Sequence, residues 1–230
     1  MSFIQTDFLY PEPKWPLLVS NLTPVILDVG ANDGGTSRMF QHYFPLGRVY
    51  AFEPDPRAIS HCKQRIEIGH LDPSRFELFE GAVSDETGFC VFFQSDGHDP
   101  NWYASGHDLS GSILTPTSER PLGSPDLFFK STIQVKCITL EDWLLLKGIS
   151  KIDVLWMDVQ GAEARVLKGM KSFVNHMDWI HFEVINSDSN CYVGQATLEE
   201  IKVFLPNFRQ VAVYTHGNFS DFLFRRIEEV

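Results

Sequence analysis

The sequence predicts an α/β protein built on a single doubly wound, mostly parallel sheet. Three observations support this prediction: short buried strands alternate with helical segments, two of the strands end close to an acid, and a glycine-containing turn follows the first strand. Alternating strands and helices produce a parallel sheet that is covered on both faces. The 230 residues, 43% hydrophobic and 21% charged, suffice for one such domain.

From residue 25 onward the predicted elements follow one another in a regular order. Strands are indicated by short apolar runs, and helices by apolar residues that recur every three or four positions. The predicted strands are VILDVG (25–30), RVYAFEP (48–54), 76–83, FCVFFQS (89–95), 135–140, IDVLWM (152–157) and 179–185. The predicted helices cover 36–43, 56–68, 141–147, 162–171 and 197–204, and segments 211–214 and 222–227 predict a terminal hairpin. Thr197, with Glu200 three residues on, predicts a capping box for the last helix.

Two segments depart from this order. Residues 1–24 contain three prolines around Trp15, which predicts an extended N-terminal lead-in rather than a helix. Residues 95–131 are rich in Gly, Ser, Pro, Asp and His and lack apolar periodicity. A loop of that length inside a domain is typical of a lid or a binding loop. We therefore expect one domain over residues 25–230, with 95–131 as its substrate loop.

The charge narrows the class of ligand, and the cysteines and the N-terminus indicate the compartment. A net charge of −11 with no basic stripe argues against nucleic acid as the main ligand. Four widely separated cysteines without a CxxC pair are typical of free thiols in a reducing compartment. The N-terminus lacks a secretory signal, and no apolar run approaches the roughly 20 residues that span a bilayer. We expect a soluble, cytoplasmic protein.

The most informative motif is VILDVGANDGG (25–35), followed by YAFEP (50–54). A turn with glycine after the first strand and an acid at the end of the second are typical of a nucleoside site. The turn lacks the full dinucleotide fingerprint, and no Lys-Ser/Thr pair follows as in a phosphate loop. A ligand without a pyrophosphate fits better, and S-adenosylmethionine is such a ligand.

Several residues in and beside these motifs have a predicted contact with the ligand. Asp28, Gly30 and Asn32 are expected to line the methionine part of the ligand, and Glu53 to bind the two ribose hydroxyls. Asp28 has an alternative role as a carboxylate that caps the following turn. Asp55 is a second candidate for the ribose, with an equally weighed alternative as an acid at the start of a helix.

The motifs, taken together, resemble those of the FkbM family of S-adenosylmethionine-dependent methyltransferases. The resemblance spans about 160 residues in family order. It rests on VILDVGANDGGTS (25–37), YAFEPDP (50–56), EGAVSDETG (80–88), SGSI (110–113), VKCITLEDWL (135–144), IDVLWMDVQGAEARVLKGM (152–170) and HFEV (181–184). Two positions depart from the family pattern, because Met157 stands where Lys is common and Gln160 where Glu is common.

The resemblance implies a Rossmann-like class I methyltransferase fold with seven strands, the last of them antiparallel. It also implies methyl transfer to a hydroxyl oxygen, often on a sugar, glycan or related metabolite. Backbone amides near Ala82 and Val83 would recognise adenine, and the cofactor set also includes Asp158 and Gln160.

Catalysis is predicted at the ends of two later strands. Asp158 follows the buried strand IDVLWM and is the main candidate for a general base or for orienting the acceptor hydroxyl. Glu183 ends the next strand, and Glu163 is a further catalytic candidate, with an alternative as a helix-stabilising acid. A second option is a Mg²⁺ site with Asp158, Glu183 and Asn186 as ligands.

Substrate contacts are expected from the irregular segment. His98 and His107 would supply imidazoles, Trp102 and Tyr103 an aromatic wall for sugar rings, and Ser112 a further contact. The alternative is that these histidines are exposed loop residues without a role. For the chain as a whole, the competing functions are a nicotinamide-dependent enzyme and a non-catalytic nucleoside-binding module.

Overall fold

The computed structural model describes residues 13–97, 109–118, 127–185 and 190–227. Seven strands form the main sheet: β1 (Val25–Val29), β2 (Arg48–Glu53), β3 (Phe76–Glu80), β7 (Ile152–Met157), β8 (Met177–Ile185), β9 (Phe208–His216) and β10 (Phe219–Arg226). Their order is β3-β2-β1-β7-β8-β10-β9. The first five are parallel, and β10 is antiparallel to both β8 and β9. The predicted seven-stranded sheet with an antiparallel C-terminal part is confirmed.

The helices agree with the predicted pattern to within a residue or two at most ends. They are α2 (Gly35–Tyr43), α3 (Pro56–Glu67), α4 (Leu140–Lys147), α5 (Glu163–Met170) and α6 (Leu198–Val203), with a 3-10 helix over Lys171–His176. The capping box of Thr197 and Glu200 is present. In the described part of the chain, every helix is too short or too polar to span a bilayer.

A second, three-stranded sheet was not predicted. It contains β4 (Ala82–Val83), β5 (Gly88–Gly97) and β6 (Leu127–Ile138), in the order β4-β6-β5. The predicted strand 76–83 is therefore wrong as one element, because Gly81 separates β3 from β4. A Cβ at Gly81 would lie 2.7 Å from the carbonyl oxygen of Lys136. Only glycine lets the backbone turn so close to the neighbouring strand.

The boundaries of the irregular segment 95–131 are also corrected. β5 continues to Gly97 and β6 begins at Leu127, and the two strands pair as an antiparallel hairpin. Between them, Ser112 forms a bridge with Phe93 on β5. The sequence does not indicate these strand ends, because cross-strand pairing rather than local apolar periodicity stabilises them.

The N-terminal lead-in is not wholly extended, contrary to the prediction. Helix α1 (Trp15–Leu18) is a single turn with Pro16 in its first turn, where the missing N–H of proline is tolerated. Trp15 is fully buried, with its ring 5.4 Å from Phe40 and 6.3 Å from Trp156, centroid to centroid. Burial of this large ring against the sheet stabilises the turn. The division into a lead-in and one domain stays a prediction.

Candidate active site at the carboxyl ends of the strands

Three acidic side chains meet at one edge of the main sheet. Asp158 follows β7, Glu183 lies near the end of β8, and Asp221 lies near the start of β10. Because β10 is antiparallel, its beginning lies at the same edge as the ends of the parallel strands, and Asp221 pairs with Glu183. Ligands of doubly wound folds bind at this edge. We therefore take it as the candidate site.

The glycine turn after β1 packs directly against Asp158. Gly30 has a φ of +85°, and a Cβ there would lie 1.8 Å from the carbonyl oxygen of Asp158. A side chain at this position would have to displace the backbone, so the turn requires glycine. The Asp158 amide also donates a hydrogen bond to Val29. The predicted cofactor turn and the predicted catalytic acid are thus brought together.

Glu53 organises the same turn from β2. Its side chain is buried, and its two oxygens accept hydrogen bonds from the amides of Asn32 (2.8 Å) and Asp55 (2.7 Å). Asn32 has a left-handed backbone with φ of +48°, which asparagine tolerates better than most residues. A carboxylate accepts about four hydrogen bonds, so these two do not by themselves saturate Glu53. The predicted ribose contact is compatible with this geometry.

Asp28 lies completely buried beneath the turn. One carboxylate oxygen accepts a hydrogen bond from the Ser37 hydroxyl at 2.5 Å, and the other has no partner among the described residues. Burial, with smaller contributions from Asp158 and Asp33, raises the pKa of Asp28 to about 7. A buried acceptor without a partner is costly and is expected to bind a donor group. The predicted ligand amine, direct or through water, is such a donor.

Asp55 is placed as the helix-capping alternative describes. Its carboxylate accepts a hydrogen bond from the Arg57 amide at the start of α3 and forms an ion pair with the Arg57 guanidinium at 2.6 Å. Gln94 on β5 donates to it as well, at 3.1 Å. These contacts join α3 to the small sheet. They favour a structural role, and the ribose contact of Asp55 stays a prediction.

Ala82 and Val83, the predicted adenine contacts, form the short strand β4. Both are buried and pair with Cys137 and Ile138 of β6. The adjoining Gly81 donates its amide hydrogen bond to the Glu53 carbonyl. The structure therefore places β4 next to the end of β2, as a site for the base beside the ribose requires. The adenine contact itself stays a prediction.

Gln160 links the two acids that were predicted to be catalytic. Its side-chain amide donates to Asp158 at 2.7 Å and to Glu183 at 3.4 Å. Burial raises the pKa of Asp158, and the Gln160 hydrogen bond opposes that shift. Burial, followed by repulsion from Asp158 and Asp221, raises the pKa of Glu183 to about 10. Burial and mutual repulsion therefore favour the protonated form at this pair of acids.

Asp221 was not identified from the sequence. It lies in a segment whose pattern indicates only an edge hairpin, and its position beside Glu183 depends on strand pairing. Burial and repulsion from Asp158 raise its pKa to about 7. The buried His181 has its Nε2 4.0 Å from Asp221, and its ring stacks on Trp156. Burial lowers the pKa of His181 to about 3, so this imidazole is neutral at pH 7.

Glu163 points back into the turn that precedes α5. Its side chain is 1% exposed, and one oxygen accepts hydrogen bonds from the amides of Gly161 (3.2 Å) and Val159 (3.4 Å). Burial and, after it, repulsion from Asp158 raise its pKa to about 7. An acid so placed stabilises the turn and the first amides of the helix. This geometry favours the helix-stabilising alternative over the catalytic one.

Ser112, predicted to contact substrate, is held by contacts within the site, and its substrate contact stays a prediction. It is 1% exposed, and its hydroxyl donates to the Gln160 carbonyl at 2.9 Å and accepts from the Leu114 amide at 3.0 Å. Tyr192, which was missed, lies across from it and donates to the Ser110 carbonyl at 2.6 Å. No local sequence pattern indicates a role for Tyr192, because its hydrogen-bond partner Ser110 lies 82 residues earlier in the chain.

Five predicted residues fall outside the described part of the chain, and their roles stay predictions. They are the substrate candidates His98, Trp102, Tyr103 and His107, and the metal candidate Asn186. Among the residues that the structure describes, no group of three or more His, Cys, Asp or Glu side chains is arranged to hold a metal ion. The Mg²⁺ option is therefore left without support from described residues.

Two comparisons with known proteins match most of the chain. The family profile "Methyltransferase FkbM domain" matches residues 28–214. The 2-O-methyltransferase NoeI of Sinorhizobium fredii is 39% identical over 211 residues, which cover 90% of this chain and 82% of that protein.

Solved structures share the fold at low sequence identity. A FkbM methyltransferase from Methylobacillus flagellatus aligns with a TM-score of 0.53 at 13% identity, over 89% of this chain and 44% of its own. The magnesium protoporphyrin IX methyltransferase of Synechocystis aligns with a TM-score of 0.50 at 9% identity, over 92% of this chain and 74% of its own. Because the family profile covers most of the chain, the chain belongs to the FkbM family of methyltransferases.

Proposed function

We propose that this methyltransferase transfers a methyl group from S-adenosylmethionine to a hydroxyl oxygen of a sugar, glycan or related metabolite. One observation carries the proposal: the backbone of the glycine turn at Gly30 touches the backbone of Asp158. A donor held by the turn then has its reactive end beside the acids at the ends of β7 and β8. The Sinorhizobium relative, named a 2-O-methyltransferase, supports oxygen as the acceptor atom.

The residues around the turn fit an adenosyl donor with an amino-acid tail. Gly30 lets the backbone approach the ligand, the buried Asp28 offers an oxygen without a described partner, and Glu53 faces the neighbouring strand end. Ala82 and Val83 of β4 follow Gly81, whose amide donates to the Glu53 carbonyl, which supports them as neighbours of the base. The ligand's sulfonium group supplies an electrophilic methyl group. The role of the protein is to hold that methyl group in line with the acceptor oxygen.

Asp158 is the group placed to manage the acceptor proton. Its carboxylate accepts the proton of the acceptor hydroxyl as the oxygen–methyl bond forms and the sulfur–methyl bond breaks, with the electron pair of the latter remaining on sulfur. A base works best when its pKa lies near the operating pH, and burial raises the pKa of Asp158 in that direction. Burial favours the protonated form of Glu183, and in that form it can donate a hydrogen bond to a second acceptor oxygen.

The proposal predicts which small molecules bind and where the methyl group goes. In titration calorimetry, S-adenosylmethionine and S-adenosylhomocysteine should bind with Kd values of about 1–100 µM, and NAD should not bind. With donor carrying a ¹³C-labelled methyl group, a panel of monosaccharides and oligosaccharides should yield a methyl ether that NMR assigns to one hydroxyl. Binding of NAD instead, or label found only on nitrogen or carboxyl oxygen, would contradict the proposal.

Replacement of Glu53 by glutamine should weaken binding of S-adenosylhomocysteine by about 10- to 100-fold, since hydrogen bonds to a charged group contribute roughly 1.5–3 kcal/mol. Calorimetry measures this directly. Glu80→Gln is the matched control, because Glu80 pairs with Glu53 in the sheet but is exposed and forms an ion pair with Lys63. Equal affinities of the two variants for S-adenosylhomocysteine would show that Glu53 does not bind the ribose.

A further inference from the structure

Gln160 has a strained backbone at the point where the predicted catalytic acids meet. Its φ is +53°, in the left-handed region that residues other than glycine, asparagine and aspartate rarely adopt. Such strain persists only where the surroundings impose it. The next residue, Gly161, also has a positive φ, of +92°. This unusual turn directs the Gln160 side chain back toward the end of β7.

Contacts to the backbone carbonyl and the side-chain amide of Gln160 hold it in one orientation. Its carbonyl oxygen accepts from the buried Ser112 hydroxyl at 2.9 Å. Its side-chain oxygen faces the Tyr192 hydroxyl at 3.3 Å, and its side-chain nitrogen faces Asp158 at 2.7 Å and Glu183 at 3.4 Å. An amide nitrogen only donates and an amide oxygen only accepts. Asp158 therefore specifies which way the amide points, and the Tyr192 hydroxyl, whose one proton goes mainly to the Ser110 carbonyl at 2.6 Å, contacts the amide oxygen more weakly.

The residues that hold Gln160 come from two distant segments. Ser112 belongs to 109–118 and Tyr192 to 190–196, and these segments are joined by the hydrogen bonds of Thr117 to Cys191 and of Val193 to Thr115. Gln195 secures the second segment, because its side-chain oxygen accepts from the amides of Cys191 and Tyr192. The Gln160 amide is thus held by parts of the chain that lie outside both β7 and α5.

We propose that Gln160 is a positioning residue for methyl transfer, which aims the carboxylate of Asp158 at the acceptor hydroxyl and is itself held by Ser112 and Tyr192. The inference rests on the proposed function and adds to it a residue that acts through Asp158. The geometric asymmetry is the reason: the 2.7 Å bond restrains Asp158, whereas the 3.4 Å contact to Glu183 is weak. The residue type fits this role, since an amide can donate to Asp158 whereas a carboxylate at position 160 would repel it.

The first test needs no acceptor. The side-chain amide of Gln160 gives a pair of ¹⁵N-resolved NMR signals, which are assigned by their disappearance in Gln160→Gly. We expect their protons to exchange with water at least 10-fold more slowly than those of the exposed Gln64, and Tyr192→Phe to shift them, because hydrogen bonding and burial protect an amide. Exchange as fast as that of Gln64 would show that the amide is not held, and would overturn the proposal.

The second test separates positioning from stability. Gln160→Gly relieves the left-handed strain, so its melting temperature should equal or exceed that of the wild type, yet its kcat should fall about 10-fold or more, as for loss of a group that orients a catalytic residue. Gln160→Asn tolerates the same backbone but is one methylene too short to reach Asp158, and should show the same loss. Binding of S-adenosylhomocysteine should change less than about 3-fold in both, because Gln160 acts on Asp158.

Tyr50→Phe is the matched control for Tyr192→Phe, since Tyr50 is a buried tyrosine on β2 that packs against Trp143 away from the acids. It should leave kcat unchanged, whereas Tyr192→Phe should lower it. Unchanged kcat in Gln160→Gly and Gln160→Asn would overturn the proposal. A wild-type protein that methylates no hydroxyl would instead contradict the proposed function, and the amide exchange would still decide whether Gln160 is held.

Discussion

Asp158→Asn should lower kcat by about 100- to 10,000-fold, the range that general-base catalysis contributes. Asparagine keeps the size of the side chain but cannot accept the acceptor proton. The affinity for S-adenosylhomocysteine should change by less than about 5-fold, because an interaction made only in the transition state affects kcat rather than ground-state binding. Kinetics with the identified acceptor and calorimetry with the product measure the two quantities.

Glu163→Gln serves as the comparison for Asp158→Asn. Burial raises the pKa of both acids. Glu163, however, accepts hydrogen bonds from the amides of Gly161 and Val159, and a glutamine oxygen can accept these bonds as well. Its kcat should stay within about 5-fold of the wild type, since amide acceptance is retained. Equal losses in the two variants would mean that Glu163 shares the catalytic role. An active Asp158→Asn would mean that another group takes the proton.

Gly30→Ala should be the most disruptive single-methyl substitution at the site. The new Cβ would lie 1.8 Å from the Asp158 carbonyl oxygen, so the turn after β1 and the end of β7 would have to separate. We expect a loss of about 3 kcal/mol in the free energy of unfolding, from overpacking together with the left-handed backbone. Binding of S-adenosylhomocysteine should fall below detection, and circular dichroism with denaturant should report the stability.

Gly69→Ala isolates the backbone part of that loss. Gly69 also has a positive φ, of +76°, but a Cβ there would meet nothing within 4 Å. Its destabilisation should be about 1 kcal/mol, the cost of a left-handed alanine alone, and donor binding should be unchanged. If the two alanine variants were equally stable, the close approach of Gly30 to Asp158 would be wrong, and so would the placement of the cofactor turn.

Much of the fold was predictable from local signals. The strands β1, β2, β7 and β8 are short apolar runs bounded by acids or glycine, and each was placed to within two residues at most ends. The capping box at Thr197 was also found, because all of its atoms come from four consecutive residues. The family resemblance also implies a seven-stranded sheet with an antiparallel C-terminal strand, which the strand pairing confirms.

The structural elements that the sequence did not predict share one cause. Helix α1, the extended strands β5 and β6, and the break at Gly81 are all stabilised by contacts with residues distant in the sequence. The proline-rich segment around Trp15 indicates an extended chain. Only the structure shows that Trp15 is buried against Trp156. Tertiary contacts override local preference in such segments.

For the candidate site, the sequence alone indicated the residues at or near a strand end: Gly30, Glu53, Asp158 and Glu183. A strand end is marked by composition, and all parallel strand ends lie at one edge of the sheet. Only the tertiary structure showed that Asp221 faces Glu183, that Glu163 and Asp55 are held by neighbouring backbone amides, and that Ser112 and Tyr192 hold Gln160. The contacts of Asp221, Ser112 and Tyr192 depend on strand register and on hydrogen bonds between residues 32 and 48 positions apart, which no local pattern records. The amides that hold Glu163 and Asp55 are only two residues away, but the sequence left the roles of these two acids open.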